Sequence, residues 1–105
     1  MSDPNPPIVV DVRAMMGRDQ AQPHALTDRV RLLLRDGCNY IVLNVSQLSA
    51  ADSLVLGAIV QAYASAVRQG ALVKLANPSP RFRELLTITK LGRVIETVEQ
   101  TRARR

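Results

Sequence analysis

The stretch YIVLNVSQLSAADSLVLGAIVQAYASAVRQGALVKLA, Tyr40 to Ala76, decides the fold. Its opening, YIVLNV, is apolar with little alternation, the pattern of a strand buried on both faces. From about Ser53 the spacing turns helical. Leu56, Val60, Tyr63 and Val67 make one stripe, with Val55, Ile59, Ala62 and Ala66 beside it. Gly70 supplies a left-handed stop, and ALVKLA reads as another buried strand. Strand, helix and strand in that order form a parallel crossover.

The same grammar extends both ways. After a leader with Pro4, Pro6 and Pro7, IVVDV is β-branched and reads as a strand. GRDQAQP is polar and turn-like. Pro23 suits the first position of a helix, where its missing N–H costs nothing. Leu26, Val30, Leu33 and Leu34 then share one face, and Gly37 ends the helix. Beyond Ala76, Ser79 is placed to cap a helix with Pro80 at its first position and Phe82, Leu85 and Leu86 on its apolar face. In LGRVIETV, Gly92 reads as a break before a last strand. The alternation predicts an α/β domain with a mostly parallel central sheet of about four strands. The expected division is a flexible leader over 1–7, one domain over 8–99 and a basic tail over 100–105.

A chain of 105 residues holds one core and buries roughly two-thirds of its unfolded surface. Aliphatic side chains must fill that core, because Tyr40, Tyr63 and Phe82 are the only aromatics. A single cysteine, Cys38, forms no internal disulfide and no zinc cluster, as suits a reducing compartment. The start lacks the pattern of a signal peptide and no run reaches the length of a membrane span. A cytoplasmic protein is expected, with no membrane partner. The net charge is +5, and residues 81–105 carry +4 of it through seven Lys/Arg against Glu84, Glu96 and Glu99. Without stacking aromatics or a recognition motif, that charge reads as a solvated tail, not a nucleic-acid site.

Catalysis has little to stand on. His24 is the only histidine, beside a helix start, and Ser53 lacks the glycines of a nucleophile elbow. No phosphate-cradling glycine loop is present. Asp11, Asp19 and Asp52 fall near strand ends, but aspartates in turns are far commoner than metal ligands. Cys38 reads as a partly buried filler. No enzyme, cofactor or metal is expected. The adjacent Asp52 and Ser53 have two readings. One of them caps the helix that follows, or the serine accepts a phosphate there. A helix start stabilises the added anion, and that charge on a contact surface breaks a complex while sparing the fold.

IVLNVSQLSAADSLVLGAIVQAYASAVRQGALVKLANPSPRFRELLTITKLGRVIE resembles a STAS domain, the fold of anti-sigma factor antagonists and of the cytoplasmic ends of sulfate transporters. The family pattern is an apolar strand, a polar loop, then Asp-Ser-Ser/Thr-Gly-Leu-Gly opening a helix. Asp52, Ser53, Leu56 and Gly57 match that opening, and Asn77 to Glu96 matches the family's later phrase. The resemblance runs from about Pro23 to Val98 and rests on no single motif.

It implies an α/β domain that catalyses nothing, with Ser53 as phosphoacceptor for a serine-kinase anti-sigma factor. Unphosphorylated antagonist binds that kinase and frees the sigma factor, and a phosphatase resets the system. Asp52, Leu54, Val55, Leu56 and Gly57 would face the partner, with Asp19 as the family's loop aspartate. The alternative is a STAS scaffold or adaptor in a signalling or transport assembly that is never phosphorylated. Two departures stand out. Leu54-Val55 replaces Ser/Thr-Gly, so a β-branched side chain takes space that glycine leaves to a partner's backbone. IVVDVRAMMG resembles the family's second strand, so the usual first strand is missing or lies in the leader. An edge left unpaired would favour partner pairing, and the expected state is a monomer or weak homodimer.

Overall fold

The computed structural model describes residues 7–16, 24–49 and 53–99. Four strands, β1 (Ile8–Asp11), β2 (Tyr40–Asn44), β3 (Leu72–Ala76) and β4 (Thr97–Val98), alternate with α1 (Val12–Met16), α2 (His24–Arg35), α3 (Ser53–Arg68) and α4 (Pro80–Ile88). The strands lie side by side in chain order and every pair is parallel. The α/β class and the four-stranded parallel sheet agree with the sequence reading. Parallel crossovers are right-handed, so three successive steps in one direction place α2, α3 and α4 on one face. A strand order without reversal also lacks the switch point at which doubly wound sheets open a ligand crevice.

The strand period sorts the residues. Ile8, Ile41 and Val73 share one register row and Val10, Leu43 and Leu75 another. Except for the edge residue Ile8, these side chains join one buried cluster with Leu26 and Val30 of α2, Ile59, Ala62 and Ala66 of α3, and Phe82 and Leu86 of α4. Of the two stripes read on α3, the one containing Val55, Ile59, Ala62 and Ala66 is the core. Val60 and Val67 of the other are 37% and 49% exposed, which makes that stripe a flank.

The opposite sheet face carries Val9, Val42 and Lys74 in one row and Tyr40 beside Leu72 in the next. The Lys74 ammonium sits 5.7 Å from the centre of the Tyr40 ring and 3.2 Å from a Glu96 carboxylate oxygen. The hydrogen bond to Glu96 holds its pKa above the ordinary lysine value. On the alkaline side, any stability from this pair is therefore retained up to the ordinary lysine value and lost as pH rises through the raised folded-state value. Long stems of this kind shield apolar neighbours, and Val42 is buried although the helices lie on the other side. Leu72, read as part of a buried strand, is 56% exposed on this face.

Several local expectations are met and others are corrected. Gly37 and Gly70 have positive φ at the ends of α2 and α3. Ser79 caps α4, with Pro80 in its first turn. Val12, read as the end of a strand, instead opens α1. After α4 the left-handed residue is Lys90, φ 64°, and Gly92 lies inside a 3-10 turn over Leu91–Arg93. Only Thr97 and Val98 of LGRVIETV form strand. Cys38 is half-buried beside the core, its Sγ donating to the Tyr40 carbonyl. Pro23 and GRDQAQP lie outside the described residues.

Thr27, on the buried face of α2, has a hydroxyl without a hydrogen-bond partner among the described residues. A desolvated hydroxyl left unpaired opposes folding, and an isosteric apolar group removes that penalty. Thr27→Val is expected to raise stability by about 1 kcal/mol, measured as a higher denaturant midpoint at constant slope. A lower midpoint would mean that the hydroxyl is satisfied.

Candidate functional site

The last register row, Asp11, Asn44, Ala76 and Val98, marks the C-terminal edge of the sheet. Short polar contacts turn the chain there. Asp11 Oδ1 accepts from the backbone N–H of Arg13 at 3.1 Å and of Ala14 at 3.4 Å, which caps α1. Asn44 Oδ1 accepts from the Ser46 N–H at 3.2 Å and starts the loop towards α3. The Val45 N–H donates to the Ala76 carbonyl, and the Leu48 N–H to the Val45 carbonyl.

Ser79 ties this loop to the next helix. Its hydroxyl donates to the Leu48 carbonyl at 2.8 Å and accepts from the Phe82 N–H at 3.1 Å. Leu48 itself is buried. The loop is thereby anchored five residues before Ser53. Sequence reading found the cap but missed the second bond, which joins residues 31 positions apart. Ser79→Ala is expected to cost about 1–2 kcal/mol and to speed amide exchange in residues 45–49. Exchange unchanged there would show that the loop is held by other contacts.

Ser53 is the first residue of α3. Its backbone stands at the positive end of a sixteen-residue helix, where the first N–H groups lack partners within the helix. Asp52 and Asp19 lie outside the described residues. The first turns of α3 divide by rotation. Val55 is fully buried and Leu56 is 8% exposed, whereas Gly57 is exposed. The expectation that Leu54 to Gly57 face a partner as a group is thus not met by the buried side chains of Leu56 and, most completely, Val55. The Val55 side chain continues into Ile59, Ala62 and Ala66 of the core and blocks no approach from outside.

Gly57 is the informative residue of the turn. Among the described residues, a methyl group there would meet no atom within 4 Å beyond its chain neighbours and the helix's own backbone. Glycine inside a helix is destabilising by roughly 0.5–1 kcal/mol relative to alanine, and no packing among the described residues requires it. Gly57→Ala is expected to raise stability by about that amount, read as a higher melting temperature. A lower melting temperature would mean that the open space is not as described.

Asp11 is engaged with backbone donors and His24 is exposed at the start of α2. Among the described residues, no group of three or more His, Cys, Asp and Glu could hold a metal ion, and no helix is long and apolar enough to cross a membrane. What the edge offers is a helix start, a short pinned loop and one side-chain-free position on an exposed helical turn.

An α/β domain with a four-stranded parallel sheet and this helix start at its C-terminal edge is the class of protein the structure defines. The STAS domain pattern matches residues 8–104, and the chain belongs to the STAS domain family. Over 63 residues it is 35% identical to the Thermotoga neapolitana protein named "putative anti-sigma factor antagonist TM1081 homolog", a match of 60% of this chain and 56% of that one. The chain thus spans little more than half the length of that relative. The solution structure of TM1081 superposes with a TM-score of 0.67 at 28% identity, covering 75% of this chain and 64% of that chain. The crystal structure of TM1081 from Thermotoga maritima gives 0.65 at 24% identity, covering 93% and 77%, and speaks for the fold alone.

Proposed function

We propose that this protein is an anti-sigma factor antagonist of the cytoplasm that catalyses no reaction. It binds a serine-kinase anti-sigma factor and is switched by phosphorylation of Ser53, with a phosphatase restoring the binding form. The observation that carries the reading is the pairing of Ser53, first in α3, with Gly57 one turn on, where the helix surface is bare. Partner backbone approaching Gly57 lies close to the helix start, so a phosphate of roughly −1.5 to −2 charges on Ser53 meets it directly. Asp52 and Leu54 belong to the same contact, while Val55 and Leu56 hold the turn from beneath. The similarity to a protein named as an antagonist supports the same choice.

The test is to incubate the full chain with ATP and each serine-kinase anti-sigma factor of its organism, then map phosphate by mass spectrometry. Phosphate on Ser53 that vanishes in Ser53→Ala is the expected result. Phosphate that persists elsewhere in that variant displaces the site. No phosphate on the wild type favours an adaptor that is never switched.

A further inference from the structure

A second feature stands at the other end of α3. The groove between α2 and α3 has a volume of about 320 Å³ and is lined by Arg31, Arg35, Arg68, Gln69 and Ser65. Ser65, 5% exposed, lies deepest. Among the described residues, none of the three arginines has a carboxylate within ion-pair distance. Arg35 and Arg68 sit in the last turns of their helices, where positive charge offsets the helix dipole. That does not account for Arg31, one turn earlier on the same face as Arg35. Like charges at i and i+4 oppose helix formation, and Arg68 faces both across the groove. Three guanidinium groups thus converge where folding alone would favour a carboxylate among them.

We infer that this groove is a docking site for a carboxylate-rich segment of a partner protein. Guanidinium forks take carboxylates two hydrogen bonds at a time, and the Gln69 amide supplies further donors. Nucleic acid fits less well. The exposed Asp28 and Asp36 flank the arginine pair and limit the positive surface to a short patch, the span of a few carboxylates and not of an extended phosphate chain. Arg83, Lys90 and Arg93 line a separate cavity at α4 and the 3-10 turn and take no part in this groove. No aromatic lines the groove to stack a base. Arg68 lies fifteen residues beyond Ser53 along one helix, roughly 22 Å away, so docking here is spatially separate from the switch.

The test is fluorescence anisotropy of a labelled octaglutamate peptide titrated with the full chain at low and physiological salt. Arg31→Gln/Arg35→Gln/Arg68→Gln is compared with the control Arg83→Gln/Lys90→Gln/Arg93→Gln after thermal melts of both. The wild type is expected to bind with an affinity that falls as salt rises. The groove variant should lose about tenfold or more, and the control should change less than about twofold. Should the triple variant fail to fold, the single reversal Arg31→Glu at an exposed position is expected to weaken binding several-fold. No binding by the wild type, equal losses in groove and control variants, or no loss in the groove variant overturns the inference. So does tighter binding of an oligothymidylate of equal charge that the groove variant abolishes, which would assign the site to nucleic acid. No kinase enters this experiment, so its failure leaves the Ser53 reading untouched.

Discussion

Ser53→Asp is expected to fold like the wild type and to bind its partner far more weakly. The two halves have one cause. A carboxylate in the first turn of a helix is favoured by the dipole by about 0.3–1 kcal/mol, so the melting temperature should hold or rise slightly. The same charge, desolvated against a partner with nothing to pair it, costs about 2 kcal/mol or more, a factor of roughly thirty in affinity. Calorimetry of the melt and a titration against the proposed kinase partner measure both halves. A variant that unfolds shows Ser53 to be packed structure. A variant that folds and binds undiminished places the partner elsewhere. Gly57→Ala supplies the complementary case, since it adds bulk without charge to the same turn. It should weaken the complex even while it stabilises the free protein.

Phe82→Ala carries the largest expected effect on stability, a loss of about 3–5 kcal/mol. Phe82 is the only phenylalanine and is fully buried in the core beneath α4. Its backbone N–H is the one that Ser79 caps while bonded to Leu48. Truncation therefore empties the core at the point where the loop before Ser53 is anchored. Against a typical total of about 5–15 kcal/mol, such a loss takes a large share of the stability. Denaturant unfolding should show a much lower midpoint with an unchanged slope. A loss below about 1.5 kcal/mol would mean that α4 is not seated on the sheet as described. Because the effect is on folding, the affinity of the folded fraction should change far less than in Ser53→Asp.

The elements themselves were legible because each announces itself locally. The unalternating apolar run at Tyr40, the helical stripes after Ser53 and the Ser79-Pro80 start are set by neighbours within a few residues. Gly37 and Gly70 stop helices for the same local reason. The weaker readings lay where local signals tie. Gly92 looked like the break, yet Lys90 takes the left-handed turn and no glycine is needed there. Val55 looked like an obstacle to a partner until rotation about α3 turned it inward.

By itself the sequence determined the order of strands and helices, the absence of any internal disulfide and the pairing of Ser53 with a helix start, since all of these follow from neighbours along the chain. Only the tertiary structure decided which stripe of α3 is core, that Ser79 reaches back to Leu48, and that Arg31, Arg35 and Arg68 share one groove. Those facts join residues far apart in the chain, and packing of helices on one face of a parallel sheet is what brings them into contact.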